Sequence, residues 1–142
     1  MKKMKSLNKR RLGVVVNLLS LASVVSIFEY GVIEQWNTFL KISGFTAIII
    51  FIVSLVATFI KTGLWKFTHK PLRNLDEREI ALTSKSLRYA YSIFTITVLI
   101  LLLSFSIIEK PVNIVLVVAL ILFAHLLPSA VIAWTEKQTE NE

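Results

Sequence analysis

"LRYAYSIFTITVLILLLSFSII", residues 87–108, decides the fold. The run is close to the roughly 20 residues a helix needs to cross about 30 Å of hydrocarbon. It lacks the strict alternation of a β-barrel strand, and a helix satisfies its own backbone groups, as lipid demands. Three more such runs lie around it: "VNIVLVVALILFAHLLPSAVIAW" at 112–134, "ISGFTAIIIFIVSLVATFI" at 42–60 and "LGVVVNLLSLASVVSIFEYGVI" at 12–33. The chain of 142 residues is 55% hydrophobic and 18% charged, against about a quarter charged in a soluble domain. The expectation is a single all-α domain over 1–142, an integral membrane four-helix bundle.

Charge gives the orientation. Six of the sixteen basic residues fall in the first eleven positions and seven more between 61 and 88. The connections at 34–41 and 109–111 hold one lysine each. Basic residues concentrate in cytoplasmic loops, so both termini and the loop 61–86 are expected in the cytoplasm of a plasma (inner) membrane. Lys9, Arg10, Arg11, Lys85 and Arg88 are then placed to contact lipid head groups. The net charge of +7 flanks apolar spans instead of building one basic face, which argues against a nucleic-acid partner. The first run is longer than a signal-peptide core and has no clear small-x-small site before Glu29, so a retained span is expected. The absence of cysteine removes disulfides and thiol chemistry.

Ahead of the deciding run lies "RNLDEREIALTSKSLRYAY", 73–91, with three of the nine acidic residues at Asp76, Glu77 and Glu79. The spacing predicts a helix start, with Asn74 as N-cap and Glu77 three positions on in an approximate capping box. Carboxylates in the first turn are stabilised by the helix dipole. Nothing breaks the helix from Leu75 to Ile108, and its length of about 50 Å would carry it beyond the bilayer into the cytoplasm. The same Asp76, Glu77, Arg78 and Glu79 also form a candidate docking site for a cytoplasmic or membrane partner. Asp76 and Glu79 share a face with His69 nearby, but one carboxylate pair without a ligand loop is a weak metal signature, and no cofactor is expected.

The run "LDERE" at 75–79 resembles that of uncharacterised small membrane proteins of bacteria and archaea, which have about four helices and a DERE-type motif at the cytoplasmic mouth of one. The resemblance implies an uncharacterised membrane family, some of whose members resemble products encoded beside small DNA-binding regulators, and it carries over no catalytic role.

Ionisable groups inside spans are functional candidates. His125 lies beside Pro128, which is expected to kink its helix. Glu29 lies near the outer end of the first span. Either serves the competing reading, a small proton-coupled transporter subunit working as a homo-oligomer. The small multidrug transporters also carry a glutamate in their first helix, but nearer mid-membrane and beside a glycine-rich dimer helix that this chain lacks. With four glycines in the chain, close helix contacts are expected from Ser, Ala and Thr. The row Asn17, Ser20, Ser23 and Ser26 drifts around the first helix at about 100° per residue, which excludes a straight polar wall and predicts packing. No Gly-x-Ser-x-Gly, Walker or His-Glu-x-x-His pattern occurs, so no enzyme is expected. The leading reading is a non-enzymatic accessory, regulatory or immunity-type protein that presents its charged cytoplasmic loop.

Overall fold

The computed structural model describes residues 2–135, with the side chains of 8–65, 69–71 and 73–135. The end residues 1 and 136–142, on which the expected location of the termini bears, lie outside the described residues. Helix α1 spans Lys2–Glu34 and α2 spans Thr38–Leu55. The latter continues into a π-helical turn, Val56–Ile60, closed by the Lys61 N–H on the Val56 carbonyl at 3.0 Å. Helix α3, Leu64–His69, and a 3-10 turn at Leu72–Asn74 lead to α4, Glu77–Ile107, and α5, Ile114–Thr135. Four of these, over Asn8–Glu34, Thr38–Ile60, Glu77–Ile107 and Ile114–Thr135, are long and apolar enough to cross a membrane. That is the mark of a multi-pass membrane protein.

Local chemistry sets the ends. Asn37 caps α2 by accepting the Leu40 N–H at 2.8 Å, so this span begins four residues before its apolar run at 42. Helix α4 stops in a Schellman arrangement. The Lys110 N–H reaches the Phe105 carbonyl at 2.9 Å and the Glu109 N–H the Ser106 carbonyl at 3.2 Å. Glu109, at φ 52°, takes the left-handed position there, and Gln35, at φ 62°, does so after α1. Gly63, at φ 77°, turns the chain from the π turn into α3, a conformation that glycine adopts without cost to a Cβ.

The helices are antiparallel neighbours in the order α2, α1, α5, α4. Helix α1 packs against α2 and α5, and α5 against α4. The bundle is therefore open, with α2 and α4 at its edges. Helix α5 is the most enclosed span and α4 the least. Helix α3 crosses behind α5, with Leu64 fully buried and its carbonyl within 3.4 Å of Ser129 Oγ. The interior is a seam of Val14, Leu21, Phe51, Phe59, Leu126 and Ile132. Outward-facing residues are as apolar as the inside: Ile96, Ile100 and Leu103 of α4 are each about 60% exposed. In water that would be an aggregating surface; in lipid it is the expected one.

The helix before the deciding run runs from Glu77, not Leu75, and its N-cap is Asp76, not Asn74. Asn74 falls instead in the 3-10 turn, its N–H bonded to the Pro71 carbonyl at 2.9 Å. Helix α5 passes through Pro128 without interruption.

Candidate functional site

The acidic turn is first a structural device. Asp76 Oδ1 accepts the Glu79 N–H at 2.6 Å, and Glu79 Oε2 accepts the Asp76 N–H at 3.3 Å. This is the reciprocal capping box, moved two residues on from its expected place. Lys70 Nζ lies 3.5 Å from the same Glu79 oxygen, which ties the α3–α4 connection to the helix start. His69 stacks on Trp65 with ring centroids 4.0 Å apart, and its Nδ1 lies 3.0 Å from the Trp65 carbonyl. Glu77 and Arg78 are exposed, and Glu77 takes no part in the capping box. Among the described residues no three His, Asp or Glu side chains converge as a metal site would require.

Glu29 is held at the opposite end of the bundle. Its Oε2 is 2.5 Å from Lys110 Nζ, and its Oε1 accepts a hydrogen bond from the Asn113 side chain. Asn113 also caps α5, accepting the Leu116 N–H at 2.9 Å. One carboxylate thus joins α1 to the α4–α5 turn. The Glu29 side chain is only 13% exposed and that of Lys110 27%, so the pair is screened less than a surface ion pair. Glu29→Ala should lower stability by about 1–2 kcal/mol, between the values for exposed and buried pairs. A double-mutant cycle with Lys110→Ala, read by unfolding in detergent, should return a coupling of about 1 kcal/mol. A proton-carrying role would instead leave stability intact in Glu29→Gln and abolish transport.

His125 sits midway along α5, exposed, with Nδ1 2.9 Å from the carbonyl of Ile121 in its own helix. It touches no neighbouring span through that bond. Of the basic residues, Arg10 and Arg11 turn inward to the end of α5. Arg10 Nη2 donates to the Ala133 carbonyl at 3.4 Å and Arg11 Nη2 to that of Trp134 at 3.3 Å. The Arg11 guanidinium also lies 5.1 Å from the Trp134 ring centroid. Cations at a helix C-terminus meet its unpaired carbonyls and its negative dipole end. Lys9, Lys85 and Arg88 are exposed.

One polar contact was not legible as a unit. Asn17, fully buried, donates from Nδ2 to the Phe51 carbonyl at 3.0 Å and to Ser54 Oγ at 2.9 Å. A Cβ added to Gly13 would lie 2.2 Å from Thr58 Oγ1. Gly13-x-x-x-Asn17 on α1 thus faces Ser54 of α2 and Thr58 of the π turn that continues it, a small-residue contact of the kind that lets membrane helices approach closely. Glycine does take part, contrary to the expectation from its scarcity. The polar row divides as its drift predicts: Asn17 and Ser20 are buried, while Ser23 and Ser26 face outward and bond to the carbonyls of Leu19 and Ala22. The four-residue spacing was the available signal in each helix alone; the pairing of the two helices was not.

No protein-family model, curated protein or solved structure matches the chain.

Proposed function

We propose that the chain is a non-enzymatic accessory protein of the plasma membrane, with both termini and the 61–86 segment in the cytoplasm. Its α3–α4 connection presents Glu77 and Arg78 to a protein partner. One observation carries the reading: the connection is fastened to the bundle end instead of hanging from it. Leu64 is fully buried, Lys70 pairs with Glu79, and the capping box fixes the turn. Asp76 and Glu79 serve that scaffold, and Glu77 is left facing outward. A rigid charged turn loses little conformational freedom on docking, which favours recognition.

A crosslinking pull-down from native membranes tests this with two variants. Asp76→Asn keeps a good N-cap and should retain the partner. Glu77→Lys reverses the presented charge and should lose it. If Glu77→Lys inserts, folds and captures the same proteins as the wild type, the turn is a helix cap and the docking reading fails.

A further inference from the structure

We infer that the seam between α1, α5 and α4 is a binding site for one anionic phospholipid, its phosphate on Lys85 and Arg88 and an acyl chain along α5. A groove of about 430 Å³ runs between these helices, lined by Val14, Leu18, Ile93, Phe123, Leu127 and Trp134 among others. A second, of about 340 Å³, continues it past Leu18 and Phe123 to Leu101 and Leu116. At its other end Tyr89 belongs both to the apolar groove and to the exposed flank of α4 that carries Ser84, Lys85, Arg88 and Ser92. Polar mouth and apolar seam are thus joined at one side chain.

The sequence of environments along α4 matches the ligand. The cations and Ser84 come first, at 84–88, then the amphipathic ring of Tyr89 with Ser92 one turn on, and Ile93, Thr97 and Leu101 line the seam beyond. From Tyr89 to Leu101 is about 18 Å of helix, close to the roughly 15 Å of one leaflet's hydrocarbon. The two cations have no ion-pair partner among the described residues, and no described residue lining the two grooves or that flank is acidic. Basic residues beside a span attract anionic head groups. A second copy of the chain fits less well. The described acidic residues lie at Glu29, Glu34 and Glu109 toward the far end, or in the Asp76–Glu79 turn, and none lines the mouth or the seam.

Native mass spectrometry of the whole protein in detergent tests the site, with phosphatidylglycerol and phosphatidylcholine of the same acyl chains added in turn. The wild type should retain one phosphatidylglycerol in preference to phosphatidylcholine. Lys85→Gln with Arg88→Gln should reduce that preference about 30-fold, as two basic residues acting at an anionic surface would. Val131→Trp, which fills the groove from its half-buried rim, should remove the retained lipid while both cations stay in place. Inorganic phosphate should not displace the lipid. Equal retention of the two lipids, a preference that survives the double substitution, or displacement by phosphate overturns the proposal. So does a lipid-free dimer that Val131→Trp dissociates, since the seam would then hold a second copy.

Discussion

Gly13→Val should separate α1 from α2 and leave little folded protein. The reason is a distance: an added Cβ would lie 2.2 Å from Thr58 Oγ1, 3.1 Å from its Cγ2 and 3.2 Å from its Cβ. Intrinsic helix propensity points the other way, since glycine in a helix interior is about 1 kcal/mol worse than alanine. Steric overlap decides the outcome because the partner is a β-branched side chain, buried and stiff at χ1. With Gly13→Ala, Thr58 Oγ1 must itself move, by a change of χ1 or a shift of the helix, and the contacts to Cγ2 and Cβ must open by a few tenths of an ångström. A cost of about 1–3 kcal/mol is expected, as for other overpacked sites. Valine adds two further carbons beside the same buried side chain, so its cost should exceed that range. Thr58→Ala in the Gly13→Ala background removes two of the three close atoms and should restore most of the loss. Unfolding in mixed micelles, followed by tryptophan fluorescence, reads both. If Gly13→Val is as stable as the wild type, α1 and α2 do not meet at this point.

The spans themselves were open to sequence reasoning because lipid imposes length and polarity together. A run such as 87–108 has few other ways to exist. The long α4 was legible too, since nothing between Glu77 and Ile107 interrupts a helix. Boundaries were less so. Both Asn74 and Asp76 are good N-caps with an acid three residues on, and the chain chose Asp76 because Asn74 was drawn into the turn that starts at Pro71. The start of α2 was missed because Asn37 caps a first turn, Thr38–Lys41, which is not apolar throughout. The π turn at Val56–Ile60 and the burial of α3 behind α5 have no local signature, since each depends on what packs against it. The inward turn of Arg10 and Arg11 was hidden for the same reason: the carbonyls they meet are 123 residues away in the chain. Glu29 was visible as a polar residue near a span end, but its partners Lys110 and Asn113 become neighbours only when α1 and α5 run antiparallel.

Asn17→Asp should be the more damaging of two nearly isosteric changes at the centre of the α1–α2 contact, and comparison with leucine says why an amide is there. The Nδ2 of Asn17 is a donor to two acceptors, the Phe51 carbonyl and Ser54 Oγ, and Ser54 sends its own proton to that same carbonyl at 3.0 Å. A carboxylate would set oxygen against oxygen in a site without exposure. A charged side chain within a span costs about 2.5–3.5 kcal/mol on insertion scales, and the lost bonds add about 0.6 kcal/mol each. Asn17→Leu has no charge to bury. It also removes the Oδ1 acceptor, which is buried without a hydrogen-bond partner among the described residues. Replacing both polar partners by apolar groups of similar shape is often near neutral, so Asn17→Leu with Ser54→Ala should lose under about 1 kcal/mol. The benefit of the amide is then positional: a directional bond at one level fixes how far α1 is displaced along α2, as a single buried Asn fixes register in a coiled coil. Because the chain has no cysteine, a disulfide between Ile27→Cys and Gly44→Cys reports that register directly; a Cβ added at Gly44 would lie 3.6 Å from Ile27 Cγ2. The crosslink should form fully with Asn17 in place and in lower yield with Asn17→Leu and Ser54→Ala, even where stability is unchanged. Equal yields would mean that Gly13 and Thr58 alone set the register.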